Sequence, residues 1–207
     1  MSRSKQDMTA KLAAENALRA EGYNYICGVD EVGRGPLAGP VVCAAVIMPA
    51  DDIVEGVDDS KKLSAKKREK LDALIREKAI AWAICRIEPQ QIDEINILQA
   101  TRLCMKNAIE SLKIRPDFVI TDGNMTLDIA FPQRHIIGGD ASCYSIGAAS
   151  ILAKVYRDKI MDEYAADYPW YGFEKNKGYG TAAHIAAIKD RGLCPIHRRS
   201  FTKKWSD

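Results

Sequence analysis

Apolar and polar positions along this 207-residue chain fall into short, separable blocks. Residues 1–21 are polar with a thin apolar face, which predicts a helix frayed at its start. YNYICGVD (23–30) and PVVCAAVIMP (40–49) are nearly continuous in apolar residues and bounded by Gly or Pro. They predict two strands joined by the glycine loop GRGPLAGP (33–40), in a sheet covered on both faces. After a polar loop over 51–62, Ser64 is placed to cap the helix AKKREKLDALIREK (65–78), with Leu71, Leu74 and Ile75 on one face. AIAWAICRIE (79–88) predicts a third strand.

Beyond Pro89, the residues Ile95, Leu98, Met105, Ile109 and Leu112 recur at spacings that place them in one stripe of a long helix, which Pro116 closes. DFVITDGN (117–124) and RHIIGGD (134–140) predict two short strands, and residues 145–168 predict a second long helix with a small-residue face. Three strands, a helix, two strands and a helix make an α/β layered domain with a mixed sheet.

Composition changes this picture little. Hydrophobic residues make up 47% of the chain and charged residues 28%, which fits a soluble globular domain and excludes intrinsic disorder. No run approaches the length of a membrane span, and the N-terminus is too polar for a signal peptide, so a cytoplasmic protein without membrane contact is expected. Six cysteines, at 27, 43, 85, 104, 143 and 194, form no C-x-x-C pair and lie mostly among apolar neighbours. They read as small buried hydrophobes, not as disulfides or zinc ligands. His135, His184 and His197 are equally scattered.

Formal net charge is only +2, but residues 151–207 hold 11 Lys and Arg against 7 Asp and Glu. There Lys175, Lys177, Arg198, Arg199, Lys203 and Lys204 cluster with Tyr171, Phe173, Tyr179, Phe201 and Trp205. That mixture suits a nucleic-acid backbone, and equally a solvated surface.

The candidate chemistry lies in acids at strand ends. Asp30 and Glu31 close the first strand, Asp122 follows FVIT and Asp140 follows HIIGG. If these strands are neighbours, four carboxylates meet at one edge of the sheet, where they repel unless hard divalent cations such as Mg2+ or Mn2+ lie between them. Each acid also has a plainer explanation. Asp122-Gly123 is a common turn pair, Asp140 can favour a helix start, and Asp30-Glu31 can be a polar strand end. The glycine loop lacks G-x-x-x-x-G-K-[ST], and Ala38 stands where a dinucleotide-binding loop needs its third glycine.

Six motifs in order, GVDEVGRGPLAGPVVCAAVI, DDSKKLS, ITDGN, GGDASCYSIGAASILAKVYRD, KGYGTAAHIAAI and PIHRRSF, resemble bacterial type 2 ribonuclease H (ribonuclease HII) from about Tyr25 to Phe201. The resemblance implies an RNase H-like fold, with a central mixed five-stranded sheet flanked by helices and a small helical C-terminal region. Residues 1–22 would be an N-terminal extension, 23–165 the catalytic domain, and 166–207 a basic, aromatic substrate-binding region packed on it. It further implies an endonuclease, a monomer by default, that cuts the RNA strand of RNA/DNA hybrids and 5′ to ribonucleotides embedded in duplex DNA.

On this resemblance Asp30, Glu31, Asp122 and Asp140 hold two divalent ions, Mn2+ or Mg2+. Gly33, Arg34 and Gly35 meet the substrate around the ribose 2′-hydroxyl, and Tyr179 stacks at the junction between ribonucleotide and deoxyribonucleotide. Lys154, Arg157 and the pair Arg198-Arg199 are placed to meet phosphates, and Asp158 is expected to pair with Arg157 or Lys154. Many family members carry lysine two positions before the G-D-A aspartate, where this chain has Gly138, so a cation there is expected to be missing or supplied from elsewhere. Two alternatives remain: another RNase H-like DNA nuclease or resolvase, and a noncatalytic nucleic-acid-binding module.

Overall fold

In the computed structural model, which describes residues 8–205, strands form where the apolar blocks lie. The first seven residues of the expected N-terminal extension fall outside the described residues, and its helix is α1 (Ala13–Ala20). The strands β1 (Ile26–Val32) and β2 (Val41–Ile47) pair antiparallel across the glycine loop, and β3 (Ala81–Ile87) pairs antiparallel with β2. On the other side of β1, β4 (Phe118–Asp122) runs parallel to it, and β5 (Gln133–Ile136) runs parallel to β4. The five-stranded sheet is therefore mixed, in the order β3-β2-β1-β4-β5.

Two faces of this sheet are covered, as continuous burial along β2 requires. One cover comprises α2 (Ala65–Lys78) and the long α5 (Tyr144–Asp167); the other is α3 (Pro89–Glu110). Ser64 caps α2 as expected, its Oγ accepting from the Lys67 N–H at 3.4 Å. The small-residue face of α5 lies on β1, where Gly28 faces the Ser145–Ile146 backbone so closely that a Cβ would stand 2.5 Å from the Ile146 nitrogen. Cys27, Cys43, Cys104 and Cys143 are buried thiols, and all six cysteines are free. Among the described residues no helix is long and apolar enough to cross a membrane.

The expected stripe along α3 is broken. Asn96 takes φ 64° and ψ 163°, which interrupts the helix, and its Oδ1 accepts from the N–H groups of Leu98 and Gln99 at 3.0 and 3.2 Å. A phase extended through the kink therefore misplaces Leu98, which is exposed, while Ile92, Cys104, Met105 and Ile109 are buried. An Asn able to cap a restarted helix was the available signal.

Past β5, a short helix α4 (Gly139–Ser142) leads directly into α5. The chain then adds α6 (Phe173–Asn176), α7 (Ala182–Arg191) and α8 (Arg199–Thr202). Tyr171 and Phe173 are not a nucleic-acid surface: they are buried with Leu37, Ala38, Met161, Ile188 and Ile196 in a small core that joins this region to the glycine loop. Their rings stack with centroids 5.4 Å apart, a packing role that composition alone cannot distinguish from base stacking.

Candidate active site

Strand pairing brings the first two acidic positions together. In the parallel register of β1 and β4, Val29 faces Thr121, so Asp30 and Asp122 follow at the same end of adjacent strands. Asp30 lies within β1, two residues before its end, because the strand continues through Glu31 and Val32. Asp122 Oδ1 accepts from the Gly139 N–H at 2.7 Å, which ties the end of β4 to the start of α4 and places Asp140 next to the pair. All four sequence-expected acids thus lie at one end of the sheet.

Burial and mutual repulsion make this end unfavourable for bare charge. Burial is the largest influence on Asp30, with Glu31 and Asp122 adding to it, and together they push its pKa well above the ordinary carboxylate value; a hydrogen bond from Ser150 opposes them. Glu31 is also raised, first by burial, and Arg34 Nη1 at 3.2 Å from its Oε1 works against that rise. Glu31 Oε2 is buried and, among the described residues, has no hydrogen-bond partner.

These features fit a divalent cation. The acids supply only oxygen, which suits hard ions, and a cation beside them would satisfy the orphaned oxygen while relieving the repulsion. Among the described residues no three Asp, Glu, His or Cys side chains are yet drawn into a closed ligand set. The acids are brought to one place, and the strands themselves do not close them around a point.

Lys61 is the functional candidate the sequence left without a role. Its Nζ donates to Asp140 Oδ2 at 3.3 Å, from the turn Ser60–Lys62 that Asp59 caps at 2.9 Å. Partial desolvation opposes its charge, yet Asp140, then Asp59 and Asp30, hold its pKa above the usual lysine value. The cation absent at Gly138 is therefore supplied from DDSKKLS. Gly138 itself has φ +70°, in the left-handed region that disfavours a side chain. Ser60 Oγ and Ser150 Oγ lie 2.9 Å apart, linking that turn to the helix under Asp30.

Across from the acids, Arg34 and Gly35 are exposed at the tip of the glycine loop, and Gly33 is buried behind them. A Cβ on Gly35 would stand 3.8 Å from Tyr179 Cε1, so the loop and Tyr179 face one another. Tyr179 is 45% exposed and is no core residue. Its backbone is held by a histidine relay. The Cys194 N–H donates to His197 Nδ1 at 2.9 Å, so His197 Nε2–H donates to His184 Nε2 at 3.0 Å, and His184 Nδ1–H donates to the Tyr179 carbonyl at 2.9 Å. Both rings are neutral in this arrangement. Burial first, then His184, lowers His197 to about 4, and burial lowers His184 as well. Histidines 13 residues apart gave no sequence sign of this pairing.

Two expected phosphate contacts are corrected. Arg157 is fully buried, and its guanidinium donates to the carbonyls of Pro40, Ala38 and Lys177. Arg198 is also fully buried and donates to the carbonyls of Gly33, Arg34 and Gly39. Lys154 Nζ pairs with Asp158 at 2.7 Å, and Asp158 takes Arg68 at 3.5 Å as its second partner in place of Arg157. A basic residue in sequence does not show whether its charge faces solvent or carbonyls.

Comparison with known proteins agrees with the geometry. The family model described as Ribonuclease HII matches residues 27–204. A ribonuclease HII of Caldicellulosiruptor bescii is 56% identical over 189 residues, covering 91% of this chain and 92% of the relative. One from Chlorobium chlorochromatii is 53% identical over 185 residues, covering 86% and 90%. Among solved structures, ribonuclease H2 from Pyrococcus horikoshii superposes with a TM-score of 0.74 at 27% identity, covering 87% of this chain and 96% of that one.

Proposed function

Since the chain belongs to the ribonuclease HII family and is a ribonuclease H, we propose that its four acids are the centre at which it cuts the RNA strand of RNA/DNA hybrids and the 5′ side of ribonucleotides embedded in duplex DNA. The observation that carries this is the adjacency of Asp30 and Asp122 at one end of parallel neighbours, with Asp140 tied alongside through Gly139. Asp30, Glu31, Asp122 and Asp140 would hold two divalent ions, Mn2+ or Mg2+, which would supply activation of the attacking water and stabilisation of the leaving 3′-oxygen, so that hydrolysis gives 3′-hydroxyl and 5′-phosphate ends.

The chain's own groups do the rest. Asp30, between Glu31 and Asp122, is the acid most dependent on a cation, because burial and both neighbours disfavour its charge. Lys61 orients the Asp140 carboxylate by its contact at 3.3 Å and offers a positive charge to a scissile phosphate beside it. Gly33, Arg34 and Gly35 meet the 2′-hydroxyl, where the lack of a Cβ on the exposed Gly35 lets a sugar approach the backbone. Tyr179, opposite, stacks on the junction. The enzyme meets its hybrid or ribonucleotide-containing duplex as a cytoplasmic monomer.

The test is cleavage of duplex DNA carrying one ribonucleotide, with and without Mg2+, with the cut mapped. Asp30→Asn and Asp122→Asn should abolish metal-dependent cleavage while duplex binding and fold persist. Near-normal cleavage by either variant would sink the assignment, and metal-dependent cutting of all-DNA junctions would point instead to a resolvase.

A further inference from the structure

Beneath the glycine loop lie two guanidinium groups with no carboxylate within ion-pair distance among the described residues. Burial lowers Arg157 to about 10 and Arg198 to about 9, so both remain charged at neutral pH. An unpaired buried charge is costly, and it persists only where its donors are satisfied. Here they are satisfied by backbone carbonyls alone. Arg198 donates from Nη1 to Arg34 O at 2.9 Å, from Nη2 to Gly33 O at 2.5 Å and from Nε to Gly39 O at 2.9 Å.

The direction of these bonds matters more than their number. A carbonyl at an exposed loop tip ordinarily faces water, yet that of Arg34, like that of the buried Gly33, faces inward to Arg198. No peptide in the described chain is cis, and across a planar trans peptide the N–H points opposite to the C=O. Pulling in the Gly33 and Arg34 carbonyls therefore turns out the N–H groups of Arg34 and Gly35, neither of which has an acceptor among the described residues. Two donors without an acceptor among the described residues thus lie in the loop segment whose Gly35 faces Tyr179.

We propose that Arg198 is a positioning residue for sugar selectivity: its planar fork fixes the two inward carbonyls and so presents the Arg34 and Gly35 N–H groups to a ribose 2′-hydroxyl. This rests on the glycine loop being the sugar-reading element. Lysine cannot reproduce the role, since one ammonium on a flexible stem does not hold two successive carbonyls in a plane. Phe201, whose ring centroid lies 5.2 Å from the Arg198 guanidinium carbon, steadies the fork.

The experiment measures KM for a duplex with a single ribonucleotide and, in the same Mg2+ assay, Ki for the matching all-DNA duplex as a competitor. Arg198→Lys, with folding checked by thermal unfolding, should raise KM about tenfold, the scale of one lost charge-assisted hydrogen bond, while Ki stays unchanged. A folded Arg198→Lys that keeps the wild-type ratio of Ki to KM overturns the positioning role. A wild-type ratio of one overturns the sugar-reading assignment of the loop itself, which separates the two failures. If Arg198→Lys does not fold, Phe201→Leu decides. It should lower the ratio about threefold, as loss of a cation–π contact would, and an unchanged ratio overturns the proposal.

Discussion

Replacing Gly28 by alanine should loosen the fold and the catalytic centre together. An added Cβ would stand 2.3 Å from the Ser145 carbonyl carbon and 2.5 Å from the Ile146 nitrogen, against an ordinary contact of 3.4 Å or more. Both atoms are backbone at the start of α5, so no side chain can swing aside, and the helix must retreat from β1 by about 0.9–1.1 Å. Overpacking of this kind costs about 1–3 kcal/mol, which for a chain of this size lowers Tm by about 2–12 °C. The same retreat moves α4, which carries Asp140, and Ser150, which supports Asp30. Misplacement by about 1 Å can cost on the order of a hundredfold in rate. Thermal unfolding and single-turnover cleavage read the two effects, with Gly35→Ala as control for the unfolding alone. Gly35→Ala places its Cβ at an ordinary 3.8 Å from Tyr179 and should leave Tm unchanged. If Gly28→Ala keeps both Tm and cleavage at wild-type values, the close packing of β1 on α5 does not hold the acids in register.

Three further outcomes follow from the same structure. Tyr179→Ala should lose more activity on a single embedded ribonucleotide than on a long hybrid, and equal losses would remove its junction role. Glu15→Ala removes the carboxylate oxygen that accepts from Ser145 N and Oγ at 2.9 and 2.8 Å at the start of α5; a lost helix cap costs about 1–2 kcal/mol, and an unchanged Tm would deny α1 that capping role. His197 has a folded pKa of about 4, below its ordinary 6.5, so between these values the unfolded chain holds the extra proton. Its contribution to stability is therefore complete above pH 6.5 and is lost as pH falls towards 4, with a slope of up to about 1.4 kcal/mol per pH unit. His197→Gln should flatten the dependence of Tm on pH in that window, and parallel curves would contradict the neutral relay.

How much of this was legible depended on whether a feature was local. The sheet could be read because each strand is a contiguous apolar block, and Ser64 because a cap and its helix are neighbours. The convergence of Asp30 and Asp122 needed only the parallel pairing of β1 with β4, and Asp140 joins them through the hydrogen bond from Gly139 to Asp122. What could not be read were contacts between distant residues with ambiguous chemistry. Arg157 and Arg198 look like phosphate ligands in sequence and prove to be buried donors to carbonyls. Tyr171 and Phe173 could stack on bases or on each other, and packing against Met161 and Ile188 decided for the core. Lys61 appeared within a motif, but its role emerged only from a contact across 79 residues. The break at Asn96 escaped because apolar spacing averages over a kink whose cause is one backbone conformation.

The bond from Arg198 to Gly33 also sets an order of assembly during synthesis. Its partners are 165 residues apart, so the acids, all emerged by Asp140, precede the arginine by 58 residues. At translation rates of about 5–20 residues per second, that interval lasts roughly 3–12 s. A nascent chain therefore carries all four carboxylates of the proposed cutting centre before the guanidinium that holds its glycine loop has been made, and the ribosome delivers the proposed positioning residue for sugar selectivity last.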